Sequence, residues 1–139
     1  MQTITHINYA AVLVSALAYY GLGRLWYSRR FFAEPWLEAL NLNPDEMKKG
    51  PSWPSKVAIF ISAFVISFAM AALVVMTGCF SIRGAMLLGL IAAVGFVTGT
   101  QLINSLFEKR PLTLLFINGG YHLAGCIIAA IIETLWRSI

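Results

Sequence analysis

The sequence predicts an all-α, polytopic membrane protein: a four-helix, up-down-up-down transmembrane bundle with a short interfacial helix in its first connecting loop. Three observations carry that fold class. Four stretches, Met1–Gly23, Val57–Ile82, Gly84–Phe107 and Pro111–Ile132, contain no Asp, Glu, Lys or Arg, and each reaches the about 20 residues needed to cross a hydrocarbon core of roughly 30 Å. The 139 residues are 59% hydrophobic and only 12% charged, with positive mean hydropathy, outside the range of soluble globular domains. The cations, finally, are distributed unevenly among the connections.

Inside lipid every backbone polar group must be satisfied within its own segment, so each apolar run reads as one helix. Runs such as Leu87–Val94 do not alternate apolar and polar residues, which argues against the strands of a membrane β-barrel. The expected spans are about 7–28, 57–79, 84–107 and 112–135 in a single domain over 1–139, with a loop at about 29–56. The first stretch reads as a retained helix, because its first cation, Arg24, follows the apolar part where a cleaved signal peptide has a basic start.

Arg24, Arg29, Arg30, Lys48, Lys49 and Lys56 bracket the first connection and Lys109 and Arg110 form the third, leaving Arg83 and Arg137 on the other side. Cation-rich loops stay in the cytoplasm. The first and third loops are therefore expected inside a cell membrane and both termini outside. The net charge of +4 is accounted for by these loops rather than by a nucleic-acid-binding patch, so the expected partners are membrane lipids, with a second copy of the chain a further option and no nucleic acid.

The first span ends in Trp26 and Tyr27, amphipathic rings favoured at headgroup level, with Trp36 a third such interfacial aromatic. Phe31, Phe32, Trp36, Leu37 and Leu40 then fall at near-helical spacing, which predicts a short helix on the inner membrane surface. Asn43, Pro44, Asp45 and Glu46 have the cap, proline and acids of a further helix start. Pro51 and Pro54 break the chain before the second span, which Ser55 is expected to cap. Short turns at 77–84 and 108–111 lead into the third and fourth spans and force antiparallel neighbours.

Polar side chains within spans are costly and often functional, and they concentrate in the second hairpin. Thr98, Gln101 and Ser105 share an arc of about 60° at about 100° per residue, with Asn104 on the flank. Asn118 and His122 share a face of the fourth span with Tyr121 beside it, and an antiparallel hairpin brings them level with Gln101 and Thr98. The expected intramembrane polar cluster is thus Thr98, Gln101, Asn104, Asn118, Tyr121 and His122. One reading makes His122 a proton-transferring or ligand-binding group; the preferred reading makes the cluster interhelical hydrogen-bond glue. Glu133 is expected to pair with Arg137, or alternatively with Arg83 or Asn8. The ladder Ala85, Gly89, Ala92, Gly95 and Gly99 lies opposite the polar stripe, which gives the third helix two interfaces, Gly95 and Gly99 packing either within the monomer or against a second copy. Cys79 and Cys126 read as packed thiols. No metal-ligand spacing occurs, and no metal or cofactor is expected.

Two blocks carry a family likeness: Gly21, Gly23, Leu25, Trp26, Tyr27 and Ser28 followed by Pro35 and Trp36, then Asn104, Phe107, Glu108, Arg110 and Pro111 with Ile117, Asn118, Gly120, Tyr121, His122 and Leu123. The chain resembles the bacterial and fungal membrane proteins grouped as domain of unknown function 1761. The resemblance covers nearly the whole length and implies a small four-helix membrane protein with no assigned activity. The positions that match are Trp26, Tyr27, Trp36, Asn104, Glu108, Arg110, Pro111, Asn118, Gly120 and Tyr121, of which Glu108, Arg110 and Pro111 form an inner-turn motif. Arg29, Arg30 and Phe31 stand where the family pattern has a proline and a glycine. Glu108 and Arg110 are expected to shape that turn or to pair with the first connection and close the cytoplasmic face.

No nucleophile, base and orienting group fall together, so the chain is not expected to be an enzyme. The expected function is a structural or interaction protein that serves a partner or lipid. The alternative is a small oligomeric transporter or channel passing protons or a small polar solute along the polar cluster. A dry packed contact at the level of Gln101 and His122 favours the first reading, and a water-filled cavity there favours the second.

Overall fold

The computed structural model describes residues 6–137 and 139, and every regular element among them is helical. In chain order these are α1 (Tyr9–Trp26), α2 (Ala33–Leu40), α3 (Pro44–Lys49), α4 (Trp53–Thr77), α5 (Ile82–Ile91), a π-helical segment (Ala92–Thr98), α6 (Gly99–Phe107) and α7 (Leu112–Arg137). Three helices are long and apolar enough to cross a membrane: α4, the continuous stretch Ile82–Phe107, and α7, with mean hydropathies of 2.7, 1.9 and 1.8. The expected first span is shorter than its predicted bounds of 7–28. It has 18 residues, about 27 Å of helix, and includes Tyr19, Tyr20 and Arg24, which keep it out of that apolar group.

The helix ends have local causes. Asn8 caps α1, its side chain accepting from the amides of Ala10 and Ala11. Ser52, not the expected Ser55, caps α4. Pro54 fits the first helical turn, where no amide is needed, so the helix starts earlier than the charge boundary at Lys56 suggests. α2, α4 and α6 end alike, with Asn41, Gly78 and Lys109 in the left-handed region. In each case the next amide closes back on the helix: Leu42 to Leu37, Cys79 to Val74 and Arg110 to Ser105. Lys109 occupies this position without being glycine, and Pro111 then prevents the helix from continuing.

α7 is the centre of the molecule. Of the most apolar window in each long helix, 44% is buried for α7, 28% for α4 and 11% for Ile82–Phe107. α1 packs on both α4 and α7, the Ile82–Phe107 helix leans chiefly on α7, and α2 folds back against α7 with Ala33 and Leu37 buried. Tyr9 stacks on Phe68 and Tyr20 meets Phe60 edge-on across the α1–α4 contact.

The third long helix differs from the sequence reading in a way that changes its faces. On an unbroken α-helix a step of four residues drifts about 40° around the axis, which places the small-residue ladder opposite the polar stripe. The π turn takes up an extra residue, with hydrogen bonds reaching five residues along the chain, and the drift is undone. Ala85, Gly89 and Ala93 then align with Thr98, Gln101 and Ser105 along α7: Gly89 lies on the backbone of Ile127, Thr98 on Gly119, and Gln101 and Ser105 beside Leu114 and Leu115. The helix thus has one packed face where two were expected. Gly95 is exposed with nothing within 4 Å of where a Cβ would stand, and Gly99 meets only the carbonyl of Val94 in its own helix. At neither expected packing glycine would a Cβ meet another helix of this chain.

A Cβ on Gly89 would stand 2.6 Å from the Ile127 Cα, and backbone cannot yield as a side-chain tip can. Gly89→Ala is therefore expected to cost about 1–3 kcal/mol in thermal or denaturant unfolding of the detergent-solubilised protein, while Gly95→Ala leaves the transition unchanged or slightly raised. Equal effects at the two positions would contradict the alignment produced by the π turn.

Candidate functional site

Two groups of polar side chains stand out, one packed between α1 and α7 and one open at the end of the α6–α7 hairpin. The packed group begins with α1. Ser15, Tyr19, Gly23 and Trp26 recur at three- and four-residue spacing, so they share the face that α1 turns toward α7. Ser15 donates a 2.9 Å hydrogen bond to Glu133 Oε1. The Tyr19 hydroxyl and His122 Nδ1 share a 2.7 Å hydrogen bond, with the Cys126 thiol at 4.0 Å. Tyr121 donates to the Tyr19 carbonyl at 3.2 Å, Tyr27 to Asn118 Oδ1 at 2.6 Å, and the Trp26 indole to the Ile117 carbonyl at 2.9 Å.

Glycine makes this approach possible. The Tyr19 ring occupies the space where Gly125 would carry a Cβ, the Tyr121 hydroxyl fills that place at Gly23, and the Trp26 ring does so at Gly120. The rings also contact one another. Tyr121 lies edge-on to Tyr19 at 5.3 Å and to Tyr27 at 5.6 Å, Tyr27 meets Trp36 at 5.6 Å, and Trp26 tilts over Phe32 at 4.8 Å. Offset and edge-on contacts of this kind are favourable beyond the area they bury.

The open group lines a cavity of about 260 Å³. Gln101, Asn104 and Ser105 of α6 face Leu114, Leu115 and Asn118 of α7 across it, and Glu108 and Arg110 of the connecting turn border it. Arg110 Nε is ion-paired with Glu108 Oε2, both side chains about half exposed. Gln101 Oε1 is buried without a hydrogen-bond partner. Among the described residues, no group of three His, Cys, Asp or Glu could hold a metal ion.

The family model for a protein of unknown function, DUF1761, matches residues 10–134. The chain belongs to that family. Neither the curated proteins nor the solved structures contain a significant match to it. The DUF1761 region runs from the first turn of α1 to the last turn of α7 and so holds both polar groups.

The structure distributes the residues singled out in the DUF1761 sequence between these two places. Gln101, Asn104 and Asn118 share the open cavity, Thr98 packs on Gly119 just beyond it, and Tyr121 and His122 turn to α1 instead. Of the aromatics expected at the headgroups, Trp26 and Tyr27 bond α7 through the indole and the phenol, and Trp36 packs edge-on against Tyr27. Glu108 and Arg110 pair with each other rather than with the first connection. Glu133 is buried and takes Ser15, not Arg137, which donates to the Val74 carbonyl and lies over the Phe80 ring. Cys79 and Cys126 are free. Ser15 and Tyr19 escaped the sequence reading, which confined its search to the second hairpin; their four-residue spacing within an apolar helix was the available signal.

The Tyr27–Asn118 bond can be isolated by a double-mutant cycle. Tyr27→Phe and Asn118→Leu are expected to show a coupling of about 0.6 kcal/mol, with about 1.7 kcal/mol as the upper bound for such bonds in membranes, measured by unfolding in detergent. Strict additivity would mean that the two groups do not bond.

Proposed function

We propose that the protein is a non-catalytic scaffold or interaction protein of the cell membrane, an up-down-up-down four-helix bundle in which α1 is the fourth span. The outward face of α1 supports this: Leu13, Val14 and Leu17 are exposed although apolar, as a surface solvated by lipid requires. The first and third connections and the helix ends that flank them, with eight of the ten cations, lie on the cytoplasmic side, and lipid covers the exposed apolar residues of α4 and of Ile82–Phe107.

One observation carries the scaffold reading: Ser15, Tyr19, Trp26 and Tyr27 each make a hydrogen bond to α7, and Asn118, Tyr121, His122 and Glu133 each take part in one to α1 or its end. Open concavities occur toward opposite ends of α7, one beside Asn118 and the other beside Trp136 and Arg137. Between them Cys126, Ala129 and Ala130 are 2%, 0% and 0% exposed. A solute would have to break the Tyr27–Asn118 and Tyr19–His122 bonds, and a proton relay, which could run along those bonds, would still have to pass that apolar plug.

Reconstituted vesicles test this directly. Wild type, His122→Ala, Asn118→Ala and empty vesicles are expected to leak protons and small polar solutes equally; flux present in wild type and abolished in His122→Ala would establish the transport alternative. Labelling of intact cells is expected to spare Lys48 and Lys49, and their modification from outside would reverse the orientation.

A further inference from the structure

We infer that the cavity at the end of the α6–α7 hairpin binds a primary ammonium group carried next to an anion, as in the phosphoethanolamine headgroup of a membrane lipid. This goes beyond the scaffold reading and rests on only one part of it, the placement of the hairpin end at the membrane surface.

The chemistry of the lining selects the ligand. Gln101 Oε1 is a buried acceptor with no partner, and such a group is expensive to leave unpaired. It calls for a donor. Glu108 and Arg110 border the same cavity as an ion pair, both half exposed. A plain anion approaching Arg110 meets the Glu108 carboxylate, and a plain cation approaching Glu108 meets the guanidinium, so either is opposed by like charge. A zwitterion opposes neither: its anion takes the guanidinium fork and its ammonium takes Glu108. A primary ammonium has three N–H donors, enough for Glu108 and Gln101 together, whereas a quaternary ammonium has none. Leu114 and Leu115, both buried, bound the cavity on the apolar side.

Size and surroundings agree. A volume of about 260 Å³ lies below the range of about 300–1,000 Å³ of drug-sized sites, in keeping with a headgroup or a small metabolite rather than a nucleotide. On the same hairpin Phe107 and Phe116 are 86% and 76% exposed, apolar surface against which acyl chains can lie.

Native mass spectrometry of the detergent-solubilised full chain tests the inference, with palmitoyl-oleoyl phosphatidylethanolamine, phosphatidylcholine and phosphatidylglycerol as lipid probes and glycerophosphoethanolamine as the soluble one. One saturable phosphatidylethanolamine per chain is expected, bound about tenfold or more tightly than the other two lipids. Glu108→Gln, Arg110→Gln and Gln101→Leu are each expected to weaken it about tenfold, and Lys49→Gln to leave it unchanged. Because Gln101→Leu sits near packed helix, Gln101→Glu serves as its partner: it keeps the acceptor and is expected to retain or tighten binding. Glycerophosphoethanolamine binding as well as the lipid would identify a free solute as the ligand, and binding of the lipid alone would identify the bilayer as its source. Equal binding of the three lipids, or phosphatidylethanolamine binding insensitive to Glu108→Gln and Gln101→Leu, would overturn the inference. A chain soluble without detergent that still binds glycerophosphoethanolamine would separate failure of the membrane reading from failure of this one.

Discussion

Hydrocarbon offers a side chain no hydrogen-bond partner, and α7 has Asn118, Tyr121, His122 and Glu133 along a helix whose neighbours are mostly aliphatic. Their partners come from one place. Tyr27, the Tyr19 carbonyl, the Tyr19 hydroxyl and Ser15 are all on α1 or at its end, in matching order. Three of the aromatic rings in this interface, Tyr19, Trp26 and Tyr121, also sit on a glycine of the opposite helix, so the same side chain supplies packing and a polar bond. Sliding α1 by one residue would lift the rings from Gly23, Gly120 and Gly125 and separate the bonded pairs together. Three ring seats and four polar pairs therefore specify one register, where bonds worth roughly 0.6 kcal/mol each could not do so alone.

With α1 locked on α7, the remaining long helices have different duties. α4 closes the other side of α1 and receives Arg137 at the Val74 carbonyl. The Ile82–Phe107 helix is attached mostly through α7 and is the least buried of the three. Its small residues bring the two backbones together at Gly89, and the π turn beyond them steers the polar half onto the same partner. Elements with few buried contacts open at lower free energy than the core, so of the three long apolar helices this one is held least tightly. The hairpin cavity lies along the seam between this helix and α7.

Much of the architecture was legible because its signals are one-dimensional. Uncharged runs, the tight turns at 77–84 and 108–111, the break at Pro51 before α4 and the start of α3 at Pro44 depend on neighbouring residues alone. The candidate site was legible only in part. Gln101, Asn104 and Asn118 meet in a cavity because the hairpin turn sets their depth. His122 and Tyr121 lie on the same helix, yet they belong to another interface, and no rule of spacing within the second hairpin assigns them to α1. Lys109 in a left-handed turn shows the converse, since its conformation is imposed by the helix end and by Pro111 rather than by its own preference.

Hydropathy and backbone hydrogen bonding suffice to make this chain a set of long apolar helices, because a helix satisfies its own amides wherever it lies. Which helix is central, which face each one buries and whom a polar side chain meets are different in kind. Those depend on a π turn that rotates Gly95 outward and Gln101 inward, and on glycines that admit rings from a helix about 100 residues distant. Such outcomes arise from contacts between segments, where close packing and the need to pair every buried polar group act together, and only the assembled tertiary structure contains them.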